Sequence, residues 1–371
     1  MSNSGVSQKA NNRRGGKQSP LKEFLELHQG ETHVIVLQDY PDPDAISSAL
    51  AYQIIANEFG IKTATMYSGK ISHQQNIAMV RLLGIPLLPY SQTHNFQQYD
   101  GAVFIDNQGT TSGDIVQSLE AAQVPALIII DHHELQDRLS PEFSDIRRVG
   151  ATATIFAGYL EQGLIQMDSS RKEHIVMGTA LMHGLMTDTG NFIRASEQDL
   201  YAAAYLTRFR DMDLLANIMN QSRSKQVMEV INKALVNRIL ADNFSIAGIG
   251  FLRTEDRDVI PQAADFLLTE ENVHTAIVYG IVRGADREER VVGSMRTTKL
   301  TLDPDDFIKD ALGKDTRGYY FGGGKITAGG FEIPIGFLSG GEVEEYQEIK
   351  WKVYDNQIKQ KIFSKIGYQN Q

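Results

Sequence analysis

Carboxylates and imidazoles gather in four short segments of this chain, each placed where an apolar pattern stops. Asp39, Asp42 and Asp44 follow the apolar run 33–38, and Asp106 ends the run 102–106. Asp131, His132 and His133 close the run 126–131, and Asp188 lies at the end of a helical pattern. Carboxylates that converge would repel one another and raise each other's pKa unless cations neutralise them. Two divalent cations about 3.5–4 Å apart can clamp the attacking and leaving oxygens of a phosphoryl displacement. An aspartate after a strand is also an ordinary turn or cap residue, and for any one segment that reading is equally good. Four such segments, one with a histidine pair directly behind a buried strand, favour a metal centre. The chain has no cysteine. The ligands must then be oxygen and imidazole nitrogen, which suits Mn²⁺ or Mg²⁺ rather than a structural zinc cluster.

That chemistry needs a scaffold that brings the four segments to one rim. Strand patterns at 33–38, 62–67, 102–106 and 126–131 alternate with helical patterns at 45–59, 75–83 and 113–122. The strands are apolar throughout rather than alternating, which marks a parallel sheet covered on both faces. Strand and helix in alternation predict an α/β fold, a doubly wound and mainly parallel sheet. Ligands of such sheets bind beyond the carboxyl ends of the strands, which is where the acids lie. Further helical patterns cover 152–162, 172–185, 198–209 and 225–240, with Thr152 and Thr154 read as caps of the first. Shorter strands follow at 245–252, 275–282 and 290–295, and then a glycine-rich stretch. The expected organisation is a disordered basic tail over 1–20, a catalytic domain over 21–210 and a helical connector over 211–241. A smaller α/β domain over 242–341 and a C-terminal helix and tail over 342–371 complete it.

At 371 residues the chain suits two domains. Its net charge of −10 argues against a protein that coats long duplex DNA, but not against a small phosphorylated substrate held by cations. No apolar run spans a bilayer and no secretory signal is evident, so the expectation is a cytoplasmic protein with no membrane partner. The sequence leaves a homodimer open. The isolated histidines His73, His94, His174 and His183 are read as ordinary surface or core residues.

The motifs also match a known pattern in the same order. Pro41, Asp42, Pro43, Asp44 and Ala45 form the first, Ile105 and Asp106 the second, Asp131, His132 and His133 the third, and Gly184 to Gly190 around Asp188 the fourth. Ser294, Met295 and Arg296, then Gly322, Gly323, Gly324 and Lys325, lie in the second domain. From about residue 31 to 335 the chain resembles the DHH/DHHA1 phosphoesterases. These include RecJ-type exonucleases, oligoribonuclease/pAp phosphatases and cyclic-di-AMP phosphodiesterases. The resemblance implies a DHH catalytic domain joined to a DHHA1 substrate-binding domain. It implies two divalent cations, bridged by Asp106, with Asp42 on the first and Asp44, His132 and Asp188 on the second. Asp131 would orient a ligand, His133 would face the substrate phosphate, and a water activated by both cations would be the nucleophile. Arg296, the backbone of Gly322 to Gly324 and Lys325 would hold the non-reacting phosphate or nucleotide. Two positions depart from the pattern. Gln38 stands where a histidine ligand is usual, and Lys325 where the glycine motif usually ends in histidine.

The activity expected from these residues is hydrolysis of phosphate esters in short oligonucleotides or nucleoside 3′,5′-bisphosphates. A cyclic- or linear-dinucleotide phosphodiesterase is the alternative within the same chemistry. A nucleotide-binding module with weakened catalysis is the alternative of another class, in which Gln38 and Lys325 would mark the loss.

Overall fold

The computed structural model describes residues 20–71, 73–221, 224–284, 288–325, 327–341 and 343–368. Apart from Pro20, the expected basic tail lies outside the described residues. The chain divides into two compact units, Met1–Gln221 and Ser222–Gln371.

In the first unit six strands form one parallel sheet: β1 (Thr32–Val36), β2 (Lys62–Tyr67), β3 (Leu88–Pro89), β4 (Gly101–Ile105), β5 (Ala126–Asp131) and β6 (Phe143–Ile146). Their order is β3-β2-β1-β4-β5-β6. Around them lie α1 (Pro20–Leu27), α2 (Pro43–Glu58), α3 (Gln74–Leu83), α4 (Gly113–Ala121), α5 (Thr152–Glu161), α6 (Lys172–Asp188), α7 (Glu197–Leu206) and α8 (Met212–Met219). Apolar clusters cover the sheet on both faces. Ile35, Val103, Ile105, Ile128 and Ile130 join α2, α5 and α6 in one, while Val34, Val36, Phe104 and Ile129 join α4 in the other. Successive residues of one strand thus enter opposite cores, which is why these runs carry no polar alternation. Each such aliphatic side chain contributes about 1.5–3 kcal/mol when fully buried. The expected parallel α/β sheet is therefore present. Sequence pattern did not anticipate β3 or β6. The first spans two residues, and the second, half exposed at the sheet edge, mixes Phe143 and Ile146 with Ser144 and Asp145.

The second unit is α/β with a mixed sheet. It contains α9 (Lys225–Asn237), β7 (Ile239–Ala241), β8 (Phe244–Arg253), α10 (Val259–Leu267), β9 (Thr275–Arg283), β10 (Glu289–Thr297), α11 (Pro304–Leu312), β11 (Gly322–Lys325), β12 (Ala328–Pro334) and α12 (Glu344–Ile366). Strand order is β11-β12-β10-β9-β8-β7, with β8 and β9 parallel and the other neighbours antiparallel. Helix α9, expected within a connector, buries Val227, Val230, Ile231 and Ala234 at helical spacing in this unit's core with α10 and β8. Helix α8, also in that expected connector, belongs to the first unit. Among the described residues no helix is long and apolar enough to cross a membrane.

Candidate metal centre

Strand β1 pairs with β2 on one side and β4 on the other. The chain's progress across the sheet reverses there, so the segments leaving β1 and β4 diverge and open a crevice at the carboxyl edge. Asp42 enters this crevice as the N-cap of α2. Its Oδ1 accepts from the Ala45 N–H at 3.0 Å and its Oδ2 from the Gln38 amide at 3.2 Å, and Pro43 opens the helix. Asp44, in the first turn, is fully buried. Both its oxygens accept backbone N–H bonds from the start of α5, Thr152 at 2.6 Å and Ala153 at 2.8 Å. The unpaired amides and dipole of a helix N-terminus favour a carboxylate there.

Asp106 follows β4 with φ of +58°, a left-handed conformation that costs a non-glycine residue energy. Its N–H donates to the Ile130 carbonyl at 3.0 Å and its Oδ1 accepts from Thr152 Oγ1 at 2.9 Å. Its Oδ2 is buried with no hydrogen-bond partner. Asp131, at the end of β5, accepts at Oδ1 from the His132 N–H (2.7 Å), the His133 N–H (3.2 Å) and His133 Nδ1 (2.8 Å). Gln108 donates to its Oδ2 at 2.8 Å. Burial pushes the Asp131 carboxyl up, but the bonds from His133 and Gln108 outweigh it and hold the group below its ordinary range.

His132 Nδ1 lies 3.1 Å from the Val149 carbonyl. A carbonyl only accepts, so Nδ1 carries the hydrogen and Nε2 faces inward. Nε2 lies 3.3 Å from Asp188 Oδ2 and 3.5 Å from Asp106 Oδ1, without hydrogen-bond geometry to either. A ring with one nitrogen fixed by a carbonyl and the other aimed at carboxylates is arranged as a metal ligand. Asp188 closes α6 beside it. The ligand atoms of Asp44, His132 and Asp188 lie within 4.8 Å of one another, as do those of Asp106, His132 and His133. Asp39 is exposed at the rim and belongs to neither grouping.

Charge at this rim is unbalanced. Burial first, then the neighbouring aspartates, pushes Asp44 and Asp106 well above the ordinary carboxylate range. Asp42 is raised by burial and Asp188. Burial works to lower the pKa of His132, but the contact with Asp188 and the charge of Asp44 raise it to about 9. Divalent cations fit this donor set. They would neutralise the carboxylates and give Asp106 Oδ2 and His132 Nε2 the partners they lack. A second cluster, His28, Glu31 and His33, closes on itself instead. Glu31 Oε2 bonds His28 Nδ1 (2.9 Å) and His33 Nε2 (3.0 Å), and Tyr52 bonds His33 Nδ1 (2.8 Å). No buried side-chain nitrogen or oxygen there is left without a hydrogen-bond partner.

The first-unit candidates Asp42, Asp44, Asp106, Asp131, His132, His133 and Asp188 thus converge. Their supports were not foreseen. Thr152 and Thr154 do not cap α5: the cap position is Ala151, and the two hydroxyls instead donate to Asp106 and to Asp199 at 2.6 Å. Gln108 carries no sequence signal beyond lying two residues after Asp106. His183 is buried in α6, but neither ring nitrogen has a hydrogen-bond partner, so it is not the satisfied core histidine expected; desolvation, with His73 nearby, lowers its pKa to about 4.

In the second unit Arg296 donates from Nε to Asp265 (2.8 Å) and from Nη1 to Ser294 Oγ (2.8 Å). Gly322, Gly323, Gly324 and Lys325 form edge strand β11, and the Gly324 amide donates to Asp305 Oδ1 at 3.0 Å. A Cβ on Gly323 would stand 2.5 Å from that oxygen, so part of this glycine requirement comes from α11 packing across the strand.

The family model for the N-terminal domain of the DHH family matches residues 33–185. The uncharacterized protein MJ1633 of Methanocaldococcus jannaschii is 34% identical over 361 residues, 95% of this chain and 68% of that one. The chain belongs to the DHH family, the phosphoesterase class its motifs resemble. A probable manganese-dependent inorganic pyrophosphatase of Bacillus cereus is 28% identical over 181 residues, 47% of this chain and 53% of that protein. The solved structure of an exopolyphosphatase-related protein from Bacteroides fragilis has a TM-score of 0.63, covering 91% of this chain and 96% of its own, at 16% identity. That likeness is one of fold.

Proposed function

We propose that the chain is a metal-dependent phosphoesterase that hydrolyses phosphate esters of short oligonucleotides or nucleoside 3′,5′-bisphosphates. Two divalent cations, Mn²⁺ or Mg²⁺, would be held by Asp42, Asp44, Asp106, His132 and Asp188. The observation that carries this reading is the pair of buried, unpartnered atoms, Asp106 Oδ2 and His132 Nε2, among the grouped aspartates Asp44, Asp106 and Asp188. When bound, such cations lower the pKa of water and offset charge that develops on phosphate. The chain's own groups do the rest. Asp131 fixes His133 through Nδ1, so the imidazole of this 47% exposed side chain presents Nε2 to a substrate phosphate. Arg296 would hold a non-reacting phosphate as a rigid fork, with Lys325 adding a point charge and Gly322, Gly323 and Gly324 a close backbone approach. Gln38 serves as a donor to Asp42 in place of a ligand.

Similarity to a protein named as a manganese-dependent pyrophosphatase supports Mn²⁺ and phosphoryl chemistry. That likeness covers only 47% of this chain, and the bond class is read from the second unit. Relative rates on pAp, linear diadenylate, cyclic diadenylate and pyrophosphate in Mn²⁺ decide it. Fastest turnover of pAp or the linear dinucleotide is expected. A preference for pyrophosphate would overturn the ester assignment, and a preference for the cyclic substrate would move it to a cyclic-dinucleotide phosphodiesterase.

A further inference from the structure

Three of the proposed ligands lean on one short segment, residues 149–154. The Val149 carbonyl fixes His132 through Nδ1. The Thr152 and Ala153 amides take the two oxygens of Asp44. The Thr152 hydroxyl takes Oδ1 of Asp106. Asp44 lies in the first turn of α2 and Asp106 directly after β4, and Thr152 is the residue that bonds both.

The segment is itself anchored from behind. Asp199, in the first turn of α7, accepts from the Gly150 N–H at 3.0 and 3.1 Å and from Thr154 Oγ1 at 2.6 Å. It also accepts from the Ser196 amide at 2.7 Å and the Ser196 hydroxyl at 2.6 Å. A Cβ at position 150 would stand 2.5 Å from Asp199 Oδ2 and 2.7 Å from Thr189 Cγ2, so glycine permits the close approach. Loop backbone held this way has little freedom to drift.

We infer that residues 149–154 act as a strap that sets the geometry of the metal centre, with Thr152 as its positioning residue. The inference rests on the reading of the centre given above. A carboxylate at the end of a strand can turn about its side-chain bonds, and Asp106 sits on strained backbone. A hydroxyl facing a carboxylate must donate, so Thr152 removes Oδ1 from competition and leaves Oδ2 as the open face. Without the hydroxyl this buried carboxylate has neither oxygen hydrogen-bonded, and nothing holds it against rotation about its side-chain bonds. That rotation withdraws a cation ligand, although Thr152 itself touches no cation.

The test is Mn²⁺ binding, followed by the loss of the free-ion electron paramagnetic resonance signal, in the native chain and in Thr152→Val, Thr152→Ser and Asp106→Ala. Melting in EDTA is recorded alongside. Thr152→Val should bind Mn²⁺ about 10–100-fold more weakly, the usual range for loss of a group that orients a ligand. Thr152→Ser, which keeps the hydroxyl, should bind as the native chain does. A purely structural role would lower the EDTA melting temperature and leave the affinity of the folded fraction unchanged. Should Thr152→Val not fold, Thr152→Ala carries the same comparison. Native affinity in the folded hydroxyl-free variant sinks the strap while leaving the metal centre intact. Failure of the native chain to bind, or unchanged binding in Asp106→Ala, sinks the reading of the centre itself.

Discussion

Removing a single charge from the acid cluster should affect the metal-free and metal-loaded protein in opposite ways. Asp44 and Asp106 have folded pKa values raised above 3.8, and His132 is raised from 6.5 to about 9. In each case the folded state holds its proton more tightly than the unfolded chain. The resulting stability is fully present below the unfolded pKa and is lost as pH rises through the folded one. In EDTA the cluster should therefore weaken the fold progressively from acid pH to about pH 9. Asp106→Asn should relieve part of that loss, melting above the native chain in EDTA at pH 8. With Mn²⁺ the order should reverse. A ligand at about 100 times its Kd adds about 2.7 kcal/mol to the native protein, and Asp106→Asn should gain little. Parallel pH dependences for the two proteins in EDTA would refute the account of the cluster. At this scale the proposed ligands were legible because acids and a histidine pair at the ends of apolar runs are rare as a set. Thr152, Gln108 and Asp199 were not, because hydroxyls, amides and single acids are common and their partners lie far off in sequence.

Element packing brings the ligands into register. Helix α6 passes so close to the start of α2 that a Cβ on Gly184 would stand 2.3 Å from Ser47 Oγ and 3.0 Å from both Asp44 Cα and the Pro43 carbonyl. Gly184→Ala must push α2 away and move Asp44 with it. Overpacking of this kind costs about 1–3 kcal/mol, read as a lower urea midpoint, and Mn²⁺ affinity should fall as well. A lower midpoint with unchanged affinity would mean that this contact supports the fold alone. The main strands and helices were readable because uninterrupted apolar runs alternate with 3.6-residue periodicity. Strands β3 and β6 escaped because edge positions lack one neighbour and so tolerate short, mixed sequence. Helix α9 was recognised as a helix, yet its periodicity could not say which unit's core its apolar face would join.

The whole chain consists of two units with separate apolar cores. Calorimetry should resolve two transitions, and Mn²⁺ should raise only the one belonging to the first unit. A shift of both together would show that the units do not unfold independently. Division of labour should also appear in kinetics: Arg296→Ala is expected to raise KM for a nucleotide with little change in Mn²⁺ affinity, whereas a loss of Mn²⁺ binding would contradict its role as a substrate contact. The substrate role proposed for the second unit was the least legible feature, since Arg296 and the glycines also have structural partners in Asp265, Ser294 and Asp305. The most direct test of the central claim is phosphate release from pAp by the purified chain in Mn²⁺, beside Asp106→Ala. Turnover that needs the cation and disappears in the variant is the predicted result. No release in Mn²⁺ or Mg²⁺ from pAp or the dinucleotides, with nucleotide binding retained, would contradict it and leave a binding module in place of an enzyme.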